Sequence, residues 1–308
     1  MESFNLRKSL ESLIRNSVSL KFTLPNLDEE ITVSQVNQGK FDDYCYEGAS
    51  DSSVSKIIYN GIVEFANNEF KIDYEDIEKE QLKTIQRKIK YNRNAKQSEK
   101  LKYGFYGEVL LDLFLRVFFN TEVFVARGYF YSPIENSEAK GFDAFHLIEN
   151  NNALELWFGE AKFYQSFYSG IKSVLNKLNT SLSDDYLTKN ILVIINEREN
   201  MTTTSPKAKA ILDKIDDDPE IVIADELIAN DIELVYPIMV AYQRESSHSY
   251  EESIRDCVNK ISDILSQKTS NFSMSIKVSI FVILLPVSNS NKVKEDVIEW
   301  IEQKKPLI

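Results

Sequence analysis

Apolar residues recur at helical spacing in several stretches of the chain. Phe4 to Ile14, Val54 to Phe70 (across Gly61) and Tyr74 to Lys90 each carry such a stripe. In the last of these, Ile77, Leu82, Ile85 and Ile89 fall on one side, which predicts an amphipathic helix. Leu101 to Phe119 is a longer, more apolar helical pattern, and Gln165 to Leu178 follows with Phe167, Ile171, Val174, Leu175 and Leu178. Strand patterns alternate with these: Ser19 to Thr23 (ended by Pro25 and Asn26), Thr121 to Ala126, Ile232 to Tyr242 and Ser273 to Pro286. Ile191 to Ile195, an unbroken apolar run, is expected to be a buried parallel strand. Helices are predicted at Lys207 to Ile215, Ile223 to Ile228, Tyr250 to Leu265 and Val293 to Gln303. Val33 to Tyr46 fits neither period, and Tyr131 to Lys140 reads as a polar loop. The pattern predicts an α/β (α+β) fold with a central mixed sheet flanked by helices. Residues 1–74 are expected to form an N-terminal region, either a small α+β subdomain or part of the main domain, and 75–308 the main domain.

One stretch stands out. Gly141 to Tyr164 holds two hydrophobic runs on either side of Glu149-Asn150-Asn151-Asn152, a sequence suited to a turn. It predicts a hairpin centred near Asn151, with Asp143 early in the first strand and Glu160 and Lys162 at the end of the second. Residues two apart on a strand share a face, so Glu160 and Lys162 point the same way. The hairpin places Asp143 roughly opposite Glu160. Two carboxylates held together require a cation or a proton to offset their repulsion, and Mg2+ suits hard oxygen ligands. A neighbouring lysine would orient an attacking water or stabilise developing charge. Three residues after Asp143, His146 points to the opposite face and is expected to be a packed, hydrogen-bonded side chain.

Composition narrows the alternatives. The 308 residues carry two cysteines, Cys45 and Cys257, and two histidines, so a disulfide scaffold and a His-rich metal site are excluded. Ile276 to Val287 is too short to span a bilayer, and the N-terminus lacks a signal-peptide core. A cytoplasmic, membrane-independent protein is expected. No Gly-rich phosphate loop, G-x-S-x-G element or Cys/His nucleophile pair is evident.

The net charge of −12 argues against a surface coated by nucleic acid, but charge is unevenly spread. Between Lys83 and Lys102 stand Lys83, Arg87, Lys88, Lys90, Arg93, Lys96, Lys100 and Lys102, with Glu99 the one acid among them. This run is either a solvated helix face or a set of phosphate contacts leading into the hairpin. Just beyond it, Glu108 lies inside the apolar helix, either as an acid favoured near a helix N-terminus or as a third carboxylate reaching the hairpin. Glu160 and Lys162 alone would be an ordinary surface ion pair, worth about 0–1 kcal/mol.

The motifs G-E-V-L-L (Glu108), G-F-D-A (Asp143) and G-E-A-K (Glu160, Lys162) resemble the PD-(D/E)xK, or restriction-endonuclease-like, nuclease superfamily. The proline of that family's name is replaced by Phe142. Gln165, or Tyr164, resembles the accessory polar residue that some members carry after the lysine. The layout of residues 75 to 200 is similar to the nuclease-subunit family of the Hachiman anti-phage defence system. The resemblance implies a restriction-endonuclease-like core and hydrolysis of DNA phosphodiesters. It implies Mg2+ (with Mn2+ able to substitute) held by Asp143, Glu160 and Glu108, and a helicase subunit as partner in a heterodimer. The alternative is a non-catalytic DNA-sensing or interaction subunit on a vestigial nuclease fold.

Overall fold

The computed structural model describes the chain except residues 1–5, 133, 135–136, 139–140, 151–152, 202 and 268–271. Its strands are β1 (Val18–Leu24), β2 (Asp43–Gly48), β3 (Glu122–Val123), β4 (Tyr131–Ser132), β5 (Ser137–Glu138), β6 (Ala144–Asn150), β7 (Ala153–Tyr164), β8 (Glu233–Gln243) and β9 (Lys277–Val287). Seven of them form one mixed sheet in the order β1-β2-β9-β8-β7-β6-β3, while β4 and β5 pair separately. The centre, β2-β9-β8-β7, is parallel, and β1, β6 and β3 join antiparallel. β8 and β9 are buried along almost their whole length, which explains their unbroken apolar sequences: helices cover both faces.

The helices are α1 (Leu6–Ser17), α2 (Asp51–Ala66), α3 (Ile77–Arg87), α4 (Gln97–Lys100), α5 (Phe105–Phe118), α6 (Phe167–Ser181), α7 (Asp184–Asn196), α8 (Pro206–Asp217), α9 (Ile223–Ala229), α10 (Tyr250–Ser266) and α11 (Ser290–Gln303). Many begin where the sequence offers a side-chain acceptor: Ser50, Ser166, Ser183, Ser205, Ser249 and Asn289 each accept a first-turn amide. Strand alternation divides the core in two. Leu154, Leu156 and Phe158 of β7 pack with α6 to α10, while Trp157, Ala161 and Phe163 pack with α1, α2, α5 and α11. Gly61 fits within α2 because a side chain there would run into Leu113 and Val109 of α5 (2.5 and 2.9 Å from a Cβ); the glycine permits close helix packing.

The stretch before residue 75 contributes β1 and β2 to the same sheet, and α2 packs on α5 and α11. The ambiguous segment 33–46 is anchored by Asp43. Its buried carboxylate accepts Ser34 N (2.6 Å), Asn37 Nδ2 (2.9 Å) and Val282 N (2.7 Å), tying the entry to β2 onto β9.

Three expectations are corrected. Residues 191–195 are not a strand but the end of α7. Leu187, Asn190, Ile191 and Ile194 are buried at helical spacing while Leu192 is exposed, and a short apolar run alone does not distinguish the two periods. The strand expected at 121–126 is confined to Glu122–Val123, followed by single ladder contacts at Phe124 and Val125. The polar loop 131–140 contains the β4–β5 ribbon, although 133, 135–136 and 139–140 lie outside the described residues, as do turn residues 151–152. Among the described residues, no helix is long and apolar enough to cross a membrane.

Candidate active site

β6 and β7 pair antiparallel from Asn150↔Ala153 to Ala144↔Gly159, and Asp143 N donates to Gly159 O at 2.8 Å. Asp143 therefore stands opposite Glu160. Phe145 and Leu147 share Asp143's face, and Leu154, Leu156 and Phe158 share that of Glu160 and Lys162; all five pack in the core beneath α6 and α7. The three polar residues thus continue an apolar face past the point where the core ends.

β6 begins at Ala144, so the Ala161 amide beyond it meets the Asp143 carboxylate, Oδ2 accepting at 2.9 Å. Lys162 Nζ donates to Glu160 Oε1 at 2.5 Å and to Ala161 O at 2.8 Å, and lies 3.5 Å from Asp143 Oδ2. Those two carboxylate oxygens are therefore no further apart than the sum of their distances to one ammonium. All three side chains are mostly buried, at 13–16% exposed. Burial, reinforced by the charge of Asp143, pushes Glu160 up to about 7 despite Lys162. Burial works against the Lys162 ammonium, but Asp143 and Glu160 outweigh it and hold its pKa above the ordinary lysine value. One ammonium serves two carboxylates, so the second carboxylate is left to find a proton or another cation.

Gly159 makes this approach possible. β8 carries Pro237, which has no N–H to donate, and the β7–β8 ladder skips Phe158 and Gly159. A Cβ on Gly159 would lie 2.8 Å from Pro237 Cγ and from its carbonyl oxygen.

Glu108 reaches this region from the other side of the sheet, in the first turn of α5. It is buried, its Oε2 is 3.9 Å from Arg127 Nε, and its charge is felt by Lys162. Among the described residues, no three His, Cys, Asp or Glu side chains gather closely enough to hold a metal ion. The structure brings Asp143, Glu160 and Lys162 together; it leaves Glu108 apart from the other two carboxylates, on the wall of a cleft that Lys162 also lines. That cleft measures about 650 Å3 and is also lined by Lys102, Tyr164, Gln165 and Ser169. Gln165 is exposed at its rim. Asp143, Glu160 and the Ala161 carbonyl are all hard oxygen donors. This set fits Mg2+, which is commonly held by one or two carboxylates with water and phosphate completing its shell.

The basic segment divides. Arg87, Lys90, Arg93, Lys96 and Lys102 are exposed. Lys83 is paired with Glu80, and Lys88 sits 3.2 Å from the centre of the Tyr129 ring. Lys100 is buried against Glu302 and is a structural residue rather than a surface contact. His146 is fully buried, hydrogen-bonded to Thr121 Oγ1 (2.7 Å) and Asp112 Oδ1 (2.8 Å), with burial lowering its pKa. Cys45 and Cys257 are free, buried core residues.

Lys294 of α11 was not singled out by the sequence patterns. It is buried on the wall of the cleft and donates to Phe163 O (2.7 Å) and Leu101 O (3.1 Å). Its position among the polar residues of an amphipathic helix gave no sign of this.

A family profile described as HamA matches residues 24–301, most of the chain. No curated protein and no solved structure matches it.

Proposed function

The chain belongs to the HamA family, a protein of the Hachiman defence system, and from that premise we propose that it is a metal-dependent nuclease that hydrolyses DNA phosphodiesters. The observation that carries this reading is the single ammonium of Lys162 set between Asp143 and Glu160, with Asp143 fixed by the Ala161 amide. Such a mostly buried surplus of carboxylate charge, beside a cleft that Lys162 lines, suits a cation and a phosphate.

Asp143 and Glu160 would hold Mg2+, with the Ala161 carbonyl beside them and Glu108 acting from the cleft wall. When bound, Mg2+ supplies Lewis-acid polarisation of a phosphate oxygen and acidifies a water. Glu160 must give up its proton to bind a cation, and with burial raising its pKa to about 7 the cation and the proton compete for it near neutral pH. Lys162, held as an ammonium, serves as a donor to the water or to the developing negative charge, not as a base. The exposed members of the basic segment, with Lys102 at the cleft, would hold the flanking backbone without reading sequence. In this reading the partner is a helicase subunit of the same defence system, which would deliver or restrain the activity.

The test is cleavage of linear, circular, single-stranded and duplex DNA with Mg2+, with and without the helicase. Wild type is expected to cleave, and Asp143→Asn and Glu160→Gln are not; equal activity in all three overturns the site. One observation favours a second reading, a non-catalytic DNA-sensing or interaction subunit. Lys162 already neutralises part of the pair, and Glu108 stands off. DNA binding with no cleavage under any of these conditions would select it.

A further inference from the structure

Two lysines are buried among the described residues. Lys100 is paired with Glu302, whereas Lys294 has no acidic partner. Burying an ammonium without a counter-charge is unfavourable, and burial alone lowers the Lys294 pKa to about 8. What surrounds it is partial compensation. The carbonyls of Phe163 and Leu101 accept two of its hydrogen bonds, and the rings of Phe163 and Tyr106 lie 4.9 and 5.6 Å from Nζ. An ammonium has three N–H donors, so two carbonyls leave one.

The residue is anchored at both ends. Its helix is fixed by Val293 and Val297 in the core, and its Nζ is fixed at the carbonyl following Lys162. Tyr106 lies against it, and the ionisable groups that line the same cleft are Lys102, Tyr103 and Glu108, from α5 and the segment before it, and Lys162 and Tyr164 from β7. Lysines therefore line the cleft, and Lys294 is the buried one among them with no carboxylate partner among the described residues.

We propose that Lys294 is a phosphate-binding residue of this cleft, giving its third N–H to a non-bridging oxygen of a nucleic-acid backbone phosphate lying beside Lys162. This rests on the reading of the cleft as a nucleic-acid site. The bound phosphate supplies the counter-charge that the fold withholds, and Lys294 grips the strand next to the bond that Lys162 attends.

The measurement is binding, separate from cleavage. The full-length protein is titrated in EDTA with a short duplex DNA and an RNA of the same length, by fluorescence anisotropy over a range of salt. Lys294→Met is expected to weaken binding about tenfold and make the slope of log K on log salt shallower by about 0.9. Lys294→Arg is expected to restore both. A purely structural tie would leave the salt slope unchanged. Lys294→Gln keeps donors for the two carbonyls without the charge, and it replaces the Met variant if that variant fails to fold by circular dichroism. Unchanged affinity and slope in the uncharged variant overturn the proposal, as does a loss that arginine does not restore, or wild-type protein that binds neither oligonucleotide. Full cleavage by Glu160→Gln would instead overturn the assigned catalytic site, and absence of cleavage by wild type the nuclease reading, each leaving this binding result standing.

Discussion

The Asp143 carboxylate accepts the backbone amide of Ala161 at 2.9 Å, across the end of the β6–β7 pair. The aspartate is thus held by main chain, whereas Glu160 is held by the Lys162 side chain. The two carboxylates depend on Lys162 to different degrees, and substitutions there separate them.

Lys162→Met removes the ammonium but leaves the Asp143–Ala161 bond. Single-turnover cleavage is expected to fall by about 10^2- to 10^4-fold, with Asp143 unmoved in a structure of the variant. Glu160, deprived of the neighbour that holds its pKa down, is expected to protonate at still higher pH. Cleavage at the wild-type rate would show that Lys162 is not needed.

The pH dependence has a defined sign. Glu160 titrates near 7 in the folded chain against an ordinary 4.5, so the folded state binds the extra proton. Its contribution to stability is fully present below about 4.5 and is lost as pH rises through about 7, by up to about 3 kcal/mol. Thermal melts without divalent metal are expected to show this fall in wild type and not in Glu160→Gln. Cleavage should rise over the same range, and added Mg2+ should move its midpoint to lower pH, because the cation competes with the proton.

Gly159→Val places side-chain atoms where Pro237 already stands. Overpacking of this kind costs about 1–3 kcal/mol. Urea unfolding is expected to show the loss, and cleavage should drop further than stability alone explains, because the adjacent residue is Glu160.

The basic segment should respond in two ways. Lys90→Ala and Lys96→Ala, at exposed positions, are each expected to make the salt slope of DNA binding shallower by about 1. Lys100→Met, which breaks the pair with Glu302, should lower the melting temperature and leave the slope unchanged.

Much of the site was legible because a strand has only two phases. Phe145 and Leu147 on one strand and Leu154, Leu156 and Phe158 on the other have to share the buried face, and that choice also places Asp143, Glu160 and Lys162 together. Helix periodicity served equally well for α5 and α6. It failed at 191–195, where five consecutive apolar residues conceal the polar side of α7. Periodicity could identify Glu108 as a misfit within an apolar helix, but not that α5 covers the opposite face of the sheet. Lys294 was illegible for a different reason: its burial is set by β7 and the segment before α5, which are far from it in sequence.

The β6–β7 ladder also limits how this protein can vary. A slip of one residue between Ala144–Asn150 and Ala153–Gly159 would turn Glu160 and Lys162 towards α5 and set Ala161 and Phe163 opposite Asp143 on the α6 and α7 face. No intermediate register exists. Across related chains, single insertions or deletions inside this hairpin should accompany loss of the activity, and lineages that retain it should accept length changes there only in compensating pairs.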